Sequence, residues 1–293
     1  TTGLAGGTGT AVFILGLGRL SGETLIVTRY LLTAFSGEKA LWQAMTKDLA
    51  GVEVLITYNG RRFDQPIIDS RCRLLGLPGL DPALHAWDLL YPVRRAFRTV
   101  WPDCRLMTVE ERLLSHHRQD DLPGSEAPWV WREWLQQGIR TRLKRVLDHN
   151  GRDVESLAAL LLMLPRVFTE PMRFGADMVG VSKSWIESGD TLTAVALLSA
   201  ARRRLDDRAL FHLSLLYRQQ EAWQGAVSLW QVLASRGHVE AMERLAKYHE
   251  HIAHDLDAAL RWTGHLIRVD GAQPAHLHRQ QRLEKKRAGV GKG

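Results

Sequence analysis

The sequence predicts an α/β domain with a mixed sheet flanked by helices, followed by an all-α domain of helical-hairpin repeats. Strand and helix signals alternate through the first half of the chain, a pattern typical of a mixed α/β sheet. Strand signals end at about Val167. Beyond that point an apolar motif recurs every 32 residues, beginning at Ala194, Ala226 and Ala258. Because helical-hairpin repeats have nearly this length, we predict two to three such repeats.

The elements of the first half can be placed in order. A hairpin turn at Ser21-Gly22-Glu23 separates two runs that are rich in β-formers, and a buried apolar run ends near Tyr58. Asp64 and Pro66 suit the start of the next helix, because Asp can cap a helix and Pro is tolerated in its first turn. The predicted order is strand 11–20, strand 25–32, helix 38–49, strand 52–58, helix 64–75 and strand 85–91, then mostly helical sequence to residue 164.

Domain boundaries follow from composition and from the repeat. Val181, Leu213 and Leu245 occupy one position of the repeat. Pro171 and Gly175 mark a linker, and a cluster of Arg and Lys near the end of the chain is typical of a disordered basic tail. We predict an α/β domain at 1–165, a linker at 166–183 and a basic disordered tail at 273–293. At 184–272 we predict helical repeats that resemble tetratricopeptide repeats.

Composition favours an anionic partner and a reducing compartment. The 293 residues carry a net charge of +7 with a pI of about 9.7, which agrees with nucleic-acid binding without requiring it. Cys72 and Cys104 are too few for a disulfide framework or a cysteine zinc site, so we expect a cytoplasmic protein. No apolar run reaches the ~18 residues of a membrane span, so we expect no membrane partner.

Asp64 is the first candidate for chemistry. It belongs to the pattern Asn59-x-x-x-Phe63-Asp64-x-Pro66, which follows the predicted buried strand. Open α/β sheets bind ligands beyond the carboxyl ends of their strands, and carboxylate oxygens are the ligands that Mg²⁺ and Mn²⁺ prefer. We therefore predict that Asp64 is a metal ligand. The alternative is that it only caps its helix.

Five separated motifs, taken together, point to a family. They are the opening at 1–10, the pattern at 59–66, Asp88-Leu89-Leu90, the segment at 118–128 and His149-Asn150-x-x-Asp153. In this order they resemble the YprB-type ribonuclease H-like domain of the DEDD (DnaQ-like) 3′-5′ exonuclease superfamily, over about residues 1–165. The resemblance implies a ribonuclease H-like fold, nucleic acid as the substrate, and cleavage from a 3′ end with two Mg²⁺ or Mn²⁺ ions.

The resemblance also implies roles for single residues. Asp64 and Asp153 would be metal ligands, and His149 would help to activate the attacking water, a role that suits a side chain titrating near neutral pH. His149 lies four residues before Asp153, whereas the superfamily places a His five or a Tyr four residues before that Asp. Contacts to the terminal nucleotide are implied for Thr2, Gly3, Leu4, Asn59 and Phe63.

The motif His149-Asn150-x-x-Asp153 is compatible with two local structures. His149 and Asp153 share a face if a helix runs through Gly151, because residues four apart are neighbours on a helix. Asn150 could instead cap a helix that starts at Gly151, which would leave His149 in a loop.

The superfamily's first motif, Asp-x-Glu at the end of the central strand, directly precedes Thr-Thr-Gly, and this chain begins after that point. We therefore expect the first strand to be truncated, the fragment to have negligible nuclease activity and a weakened first domain, and the intact parent to be the exonuclease. The alternative is a non-catalytic nucleic-acid-binding module whose helical repeats dock a protein partner. A third hypothesis is that the protein is a structural adaptor whose function lies in the repeats.

Overall fold

The computed structural model describes residues 1, 10–118 and 122–290. Its contacts divide the chain into two compact units, Thr1–Asp177 and Met178–Gly293. None of the helices in these described ranges is long and apolar enough to cross a membrane.

The strands of the first unit form two separate pairs within the described residues. They are Ile14–Ser21 (β1), Thr24–Leu31 (β2), Val54–Thr57 (β3) and His85–Asp88 (β4). β1 and β2 form an antiparallel hairpin, whose turn contains Gly22 at a φ of 60°, a conformation that favours glycine. β3 and β4 pair in parallel.

Within the described residues, the strands of the predicted mixed sheet form these two small sheets. β1 and β3 both line an apolar cavity of about 460 Å³, which separates the two pairs. Leu17 and Leu20 of β1 and Leu55 and Ile56 of β3 are among its lining residues. Across the described residues, therefore, no ladder of hydrogen bonds joins β1 to β3.

Helices cover the strands of this unit. They are Glu38–Asp48 (α1), Asp64–Leu74 (α2), Leu90–Phe97 (α3), Leu106–Arg112 (α4), Ala127–Gln137 (α5) and Thr141–Thr169 (α6). Trp131 of α5 stacks on Phe13 with a centroid separation of 5.3 Å and donates its indole N–H to the Leu32 carbonyl at 2.7 Å. The longest helix, α6, packs against both strands of the hairpin and against α3, α4 and α5.

The second unit is all helical in its described part. Its helices are Met178–Glu187 (α7), Thr191–Ala201 (α8), Asp207–Gln219 (α9), Trp223–Ser235 (α10), Val239–His251 (α11), Leu256–Asp270 (α12) and Pro274–Val290 (α13). Each of these helices packs against its neighbour in sequence. Val181, Leu213 and Leu245 are all buried, so the equivalent positions of the 32-residue motif have equivalent environments.

Two boundaries differ from the predicted ones. α6 continues to Thr169 and α7 begins at Met178, so most of the expected linker at 166–183 is helical. The tail expected to be disordered forms α13 instead. Arg282 and Lys286 of that helix bind the buried Glu250 carboxylate of α11 at 2.6 and 2.8 Å. Ion pairs to α11, a helix distant in sequence, thus stabilise α13, although the composition of this segment alone suggests disorder.

Candidate active site

Asp64 lies directly after the turn that leaves β3. The carboxylate of Asp88, at the end of β4, accepts hydrogen bonds from the backbone N–H groups of Asn59 and Arg61 at 2.7 and 3.3 Å. It also accepts one from Leu90 N–H at 3.1 Å. Asn59 adopts a φ of 63°, which reverses the chain so that α2 can begin at Asp64. A carboxylate on the neighbouring strand therefore fixes the turn that presents Asp64.

The environment of Asp64 favours a bound proton or cation. The residue at the N-cap of α2 is Phe63, and no side chain caps this helix by a hydrogen bond, so the capping alternative is not what the structure has. The Asp64 residue is exposed, yet protein crowds its carboxylate, and this partial desolvation raises its pKa. The Asp88 carboxylate raises the pKa further.

His149 and Asp153 lie on one face of α6. The helix runs through Gly151 without a break, so Asn150 is inside the helix and does not cap it. His149 Nε2 lies 3.5 Å from Asp153 Oδ2. Of the two local structures open to this motif, the continuous helix is the one observed.

A buried charged network backs this face of α6. Arg118 grips the Glu110 carboxylate of α4 with two donors, Nε to Oε2 at 2.6 Å and Nη2 to Oε1 at 2.5 Å. The Glu110 side chain is fully buried and the Arg118 side chain is 5% exposed, so the pair is shielded from water. Arg118 Nη2 also binds Asp153 Oδ1 at 2.5 Å, and Nη1 lies 3.0 Å from His149 Nδ1. Ser156 adds a hydroxyl hydrogen bond to Glu110.

One cavity of about 390 Å³ is lined by four of the eight predicted site residues. Phe63, Asp64, His149 and Asp153 all line it, although these residues come from two segments of the sequence far apart. Asn59 is exposed on the turn and lies outside this lining. The predicted contacts Thr2, Gly3 and Leu4 lie outside the described residues.

The donor set fits a hard divalent ion in part. Among residues 1, 10–118 and 122–290, no group of three or more metal-ligating side chains converges. Asp64 and Asp153 nevertheless line the same cavity. Mg²⁺ is commonly bound by one or two carboxylates together with waters and substrate phosphates, so two carboxylates suit it.

Sequence reasoning did not identify Glu110, Arg118 or Ser156 as site residues. Arg118 starts one of the motifs that carry the resemblance, but nothing local indicates its partners, which lie 8 to 35 residues away. Ser156 is the exception, because positions 149, 153 and 156 are one helical face at the spacing i, i+4, i+7.

Two comparisons with known proteins found relatives of this chain. The model of a protein family described as "RNase_H superfamily" matches residues 1–164. Over 273 residues the chain is 32% identical to a protein of Bacillus subtilis (strain 168) that carries the name "Uncharacterized protein YprB". That match covers 89% of this chain and 66% of the relative, so the chain spans just under two thirds of the relative's length. No solved structure matches the chain.

Proposed function

This chain belongs to the RNase H superfamily, and we propose that it is the nuclease part of a metal-dependent 3′-5′ exonuclease of the DEDD type. The observation that carries the proposal is the shared cavity. Asp64, at the start of α2, and the His149–Asp153 pair, on α6, line the same space of about 390 Å³. Carboxylates from separate elements that meet at one cavity are what two-ion phosphodiester hydrolysis needs.

Each residue has a proposed task. Asp64 and Asp153 would hold Mg²⁺ or Mn²⁺, which when bound activates water and stabilises charge on the scissile phosphate. His149 stands beside Asp153 and is proposed to contact the attacking water or the phosphate. Phe63 offers an aromatic ring to the cavity wall, where the terminal base can stack. Thr2, Gly3, Leu4 and Asn59 remain proposed contacts of the terminal nucleotide.

Charge next to the cavity supports a nucleic-acid substrate. Arg61 and Arg62 are exposed on the turn between β3 and α2, two positions before the cavity residues Phe63 and Asp64. Guanidinium groups bind phosphate oxygens through paired hydrogen bonds. A backbone phosphate upstream of the 3′ end is therefore the proposed partner of this turn.

Degradation of end-labelled strands tests the function. The natural polypeptide, with any residues that its gene encodes before Thr1, is incubated with 5′-labelled single-stranded DNA or RNA and Mn²⁺. We expect a ladder that shortens from the 3′ end and disappears with EDTA or with Asp153→Asn. Asp148→Asn is the matched control, since Asp148 is on the same helix but its side chain is 45% exposed and pairs with Arg29. Cleavage that survives Asp153→Asn would contradict the proposal.

One observation favours a second candidate, a nucleic-acid-binding module without catalysis. The Asp153 carboxylate already has a cationic partner in Arg118, at 2.5 Å. If that contact persists with nucleic acid bound, the cavity binds a strand without holding the ions. Salt-sensitive binding without any cleavage in Mn²⁺ would select this function. The helices of the second unit are proposed under either function to dock a protein partner as tetratricopeptide-like repeats.

A further inference from the structure

Arg118 links the two site residues of α6, and we infer that it is a positioning residue that fixes the orientation and the tautomer of the His149 ring. The catalytic meaning of this inference rests on the proposed function, whereas its structural part does not. Arg118 precedes α5 in sequence and contributes no group to the lining of the cavity of about 390 Å³. Its effect on the reaction would therefore pass through His149 and Asp153.

Glu110 holds the guanidinium in place. The carboxylate binds Nε and Nη2 together, a bidentate geometry that sets the plane of the guanidinium group. Full burial of Glu110 and its bond from Ser156 leave that carboxylate little freedom to move. With Nε and Nη2 so directed, Nη1 lies 3.0 Å from His149 Nδ1.

The contact decides which nitrogen of His149 carries the proton. A guanidinium group only donates hydrogen bonds, so His149 Nδ1 must accept from Nη1 of Arg118. A neutral imidazole with an accepting Nδ1 has its hydrogen on Nε2. That nitrogen is the one 3.5 Å from Asp153 Oδ2.

This tautomer limits the proposed role of His149 to that of a hydrogen-bond donor. An Nε2 that already bears hydrogen cannot take a proton from water, but it can donate a hydrogen bond to an oxygen of the phosphate. Such a donor, held in position before the reaction, stabilises the charge that develops on the phosphate. In this arrangement, His149 acts as a hydrogen-bond donor and Arg118 keeps it in that form.

Nitrogen NMR of the histidine ring tests the structural part on the 293-residue chain. Long-range ¹H–¹⁵N spectra show which ring nitrogen bears the hydrogen, and His149→Gln identifies the signal. We expect a single tautomer with hydrogen on Nε2, and loss of this preference in Arg118→Met. Arg118→Lys keeps a positive charge beside Glu110 but lacks the planar guanidinium group, so this variant should lose the tautomer preference too. If Arg118→Met does not fold, Arg118→Lys provides the test.

Arg71→Met is the matched control, because Arg71 grips Glu38 of α1 through two donors as Arg118 grips Glu110. The His149 signal should be unchanged in this variant. A folded Arg118 variant that keeps the wild-type tautomer would overturn the inference, as would a wild-type ring with hydrogen on Nδ1.

Kinetics of the natural polypeptide test the catalytic part. Arg118→Lys should lower kcat by about 10- to 100-fold, the range found for residues that hold metal ligands in position, with little change in KM. An altered tautomer with unchanged kcat would refute the catalytic role. If the wild type cleaves nothing while the tautomer responds to Arg118, the proposed function fails and the positioning stands. If the wild type cleaves normally and the tautomer does not change in the Arg118 variants, the positioning role fails and the proposed function stands.

Discussion

The two units of this chain are specified by different kinds of contact. In Met178–Gly293, four helices begin at a side chain that accepts a hydrogen bond from their own first turn, namely Asp190, Asp206, His238 and Asp255. In Thr1–Asp177, none of α1 to α6 has such a cap. These four helix starts are thus encoded within a few residues, whereas those of α1 to α6 depend on tertiary packing.

Long-range polar contacts take the place of caps in the first unit. Arg71 binds Glu38 across 33 residues of sequence, and Trp131 donates to Leu32 across 99. Arg118 joins Glu110 and Asp153. A site assembled from distant segments needs such contacts, so the unit that carries the proposed chemistry is also the one that local sequence specifies least.

The largest expected effect separates function from fold. Asp153→Asn keeps the shape of the side chain but removes the charge of a proposed metal ligand, which would be worth several kcal/mol in the transition state, so kcat should fall by about 1,000-fold. Hydrogen exchange of α7 to α13 should stay as in the wild type. Turnover of the natural polypeptide with Mn²⁺ checks this, and a loss of protection in the second unit would break the proposed separation.

The next effect tests the dependence of the first unit on its buried network. Glu110→Ala leaves the Arg118 guanidinium buried without its bidentate partner, which should cost about 3–5 kcal/mol of unfolding free energy. Hydrogen exchange followed by mass spectrometry should show the loss in α4 and α6 and not in α9 to α12. Equal losses in both units would mean that they unfold together.

A smaller effect tests local specification in the second unit. Asp206→Ala removes the acceptor of the Ala209 N–H, a bond of 2.8 Å, and should cost about 1 kcal/mol. The matched variant Asp207→Ala removes a neighbouring acid that pairs with Arg236 and does not cap, so it should cost less. Urea denaturation compares the two. If Asp207→Ala proves the more damaging, capping is not what defines the start of α9.

The smallest effect concerns the proton affinity of Asp64. Its pKa is raised in the folded state, so ionisation costs the folded state more than the unfolded one, and stability falls as pH rises through the carboxyl range. Asp64→Asn should therefore increase stability at neutral pH and change it little at acidic pH. Solvent screens this exposed group, so the gain should be modest. Thermal unfolding at both pH values checks the sign, with Asp69→Asn on the same helix as the control.

Sequence predicted best where local rules decide. The hairpin was expected around Ser21-Gly22-Glu23, and the structure places β1 and β2 on either side of that turn. The helix that begins at Asp64 and the short strand that begins at His85 also follow local signals. Local signals could not predict whether the strands form one sheet or two, because strand pairing depends on what fills the space between β1 and β3.

Prediction was weakest for contacts between distant charges. Composition indicated a disordered tail, but the Arg282 and Lys286 contacts to Glu250 hold α13 in place. Local sequence left a helix boundary at Gly151 open, and α6 continues through this glycine, because burial of residues such as Val146, Val154 and Leu160 outweighs its low helix propensity. Arg118 was visible only as part of a motif, since its partners become neighbours only after folding.

The cavity between β1 and β3 has a practical consequence for handling the protein. Within the described residues each of these strands pairs on one side only, so each has an edge of backbone N–H and C=O groups outside any ladder. Unpaired edges beside apolar side chains are templates for strands of other molecules. We expect concentrated solutions of this chain to self-associate by edge-to-edge pairing. Light scattering should show particle growth that increases with protein concentration and slows when Lys replaces Leu20, which is 50% exposed on β1.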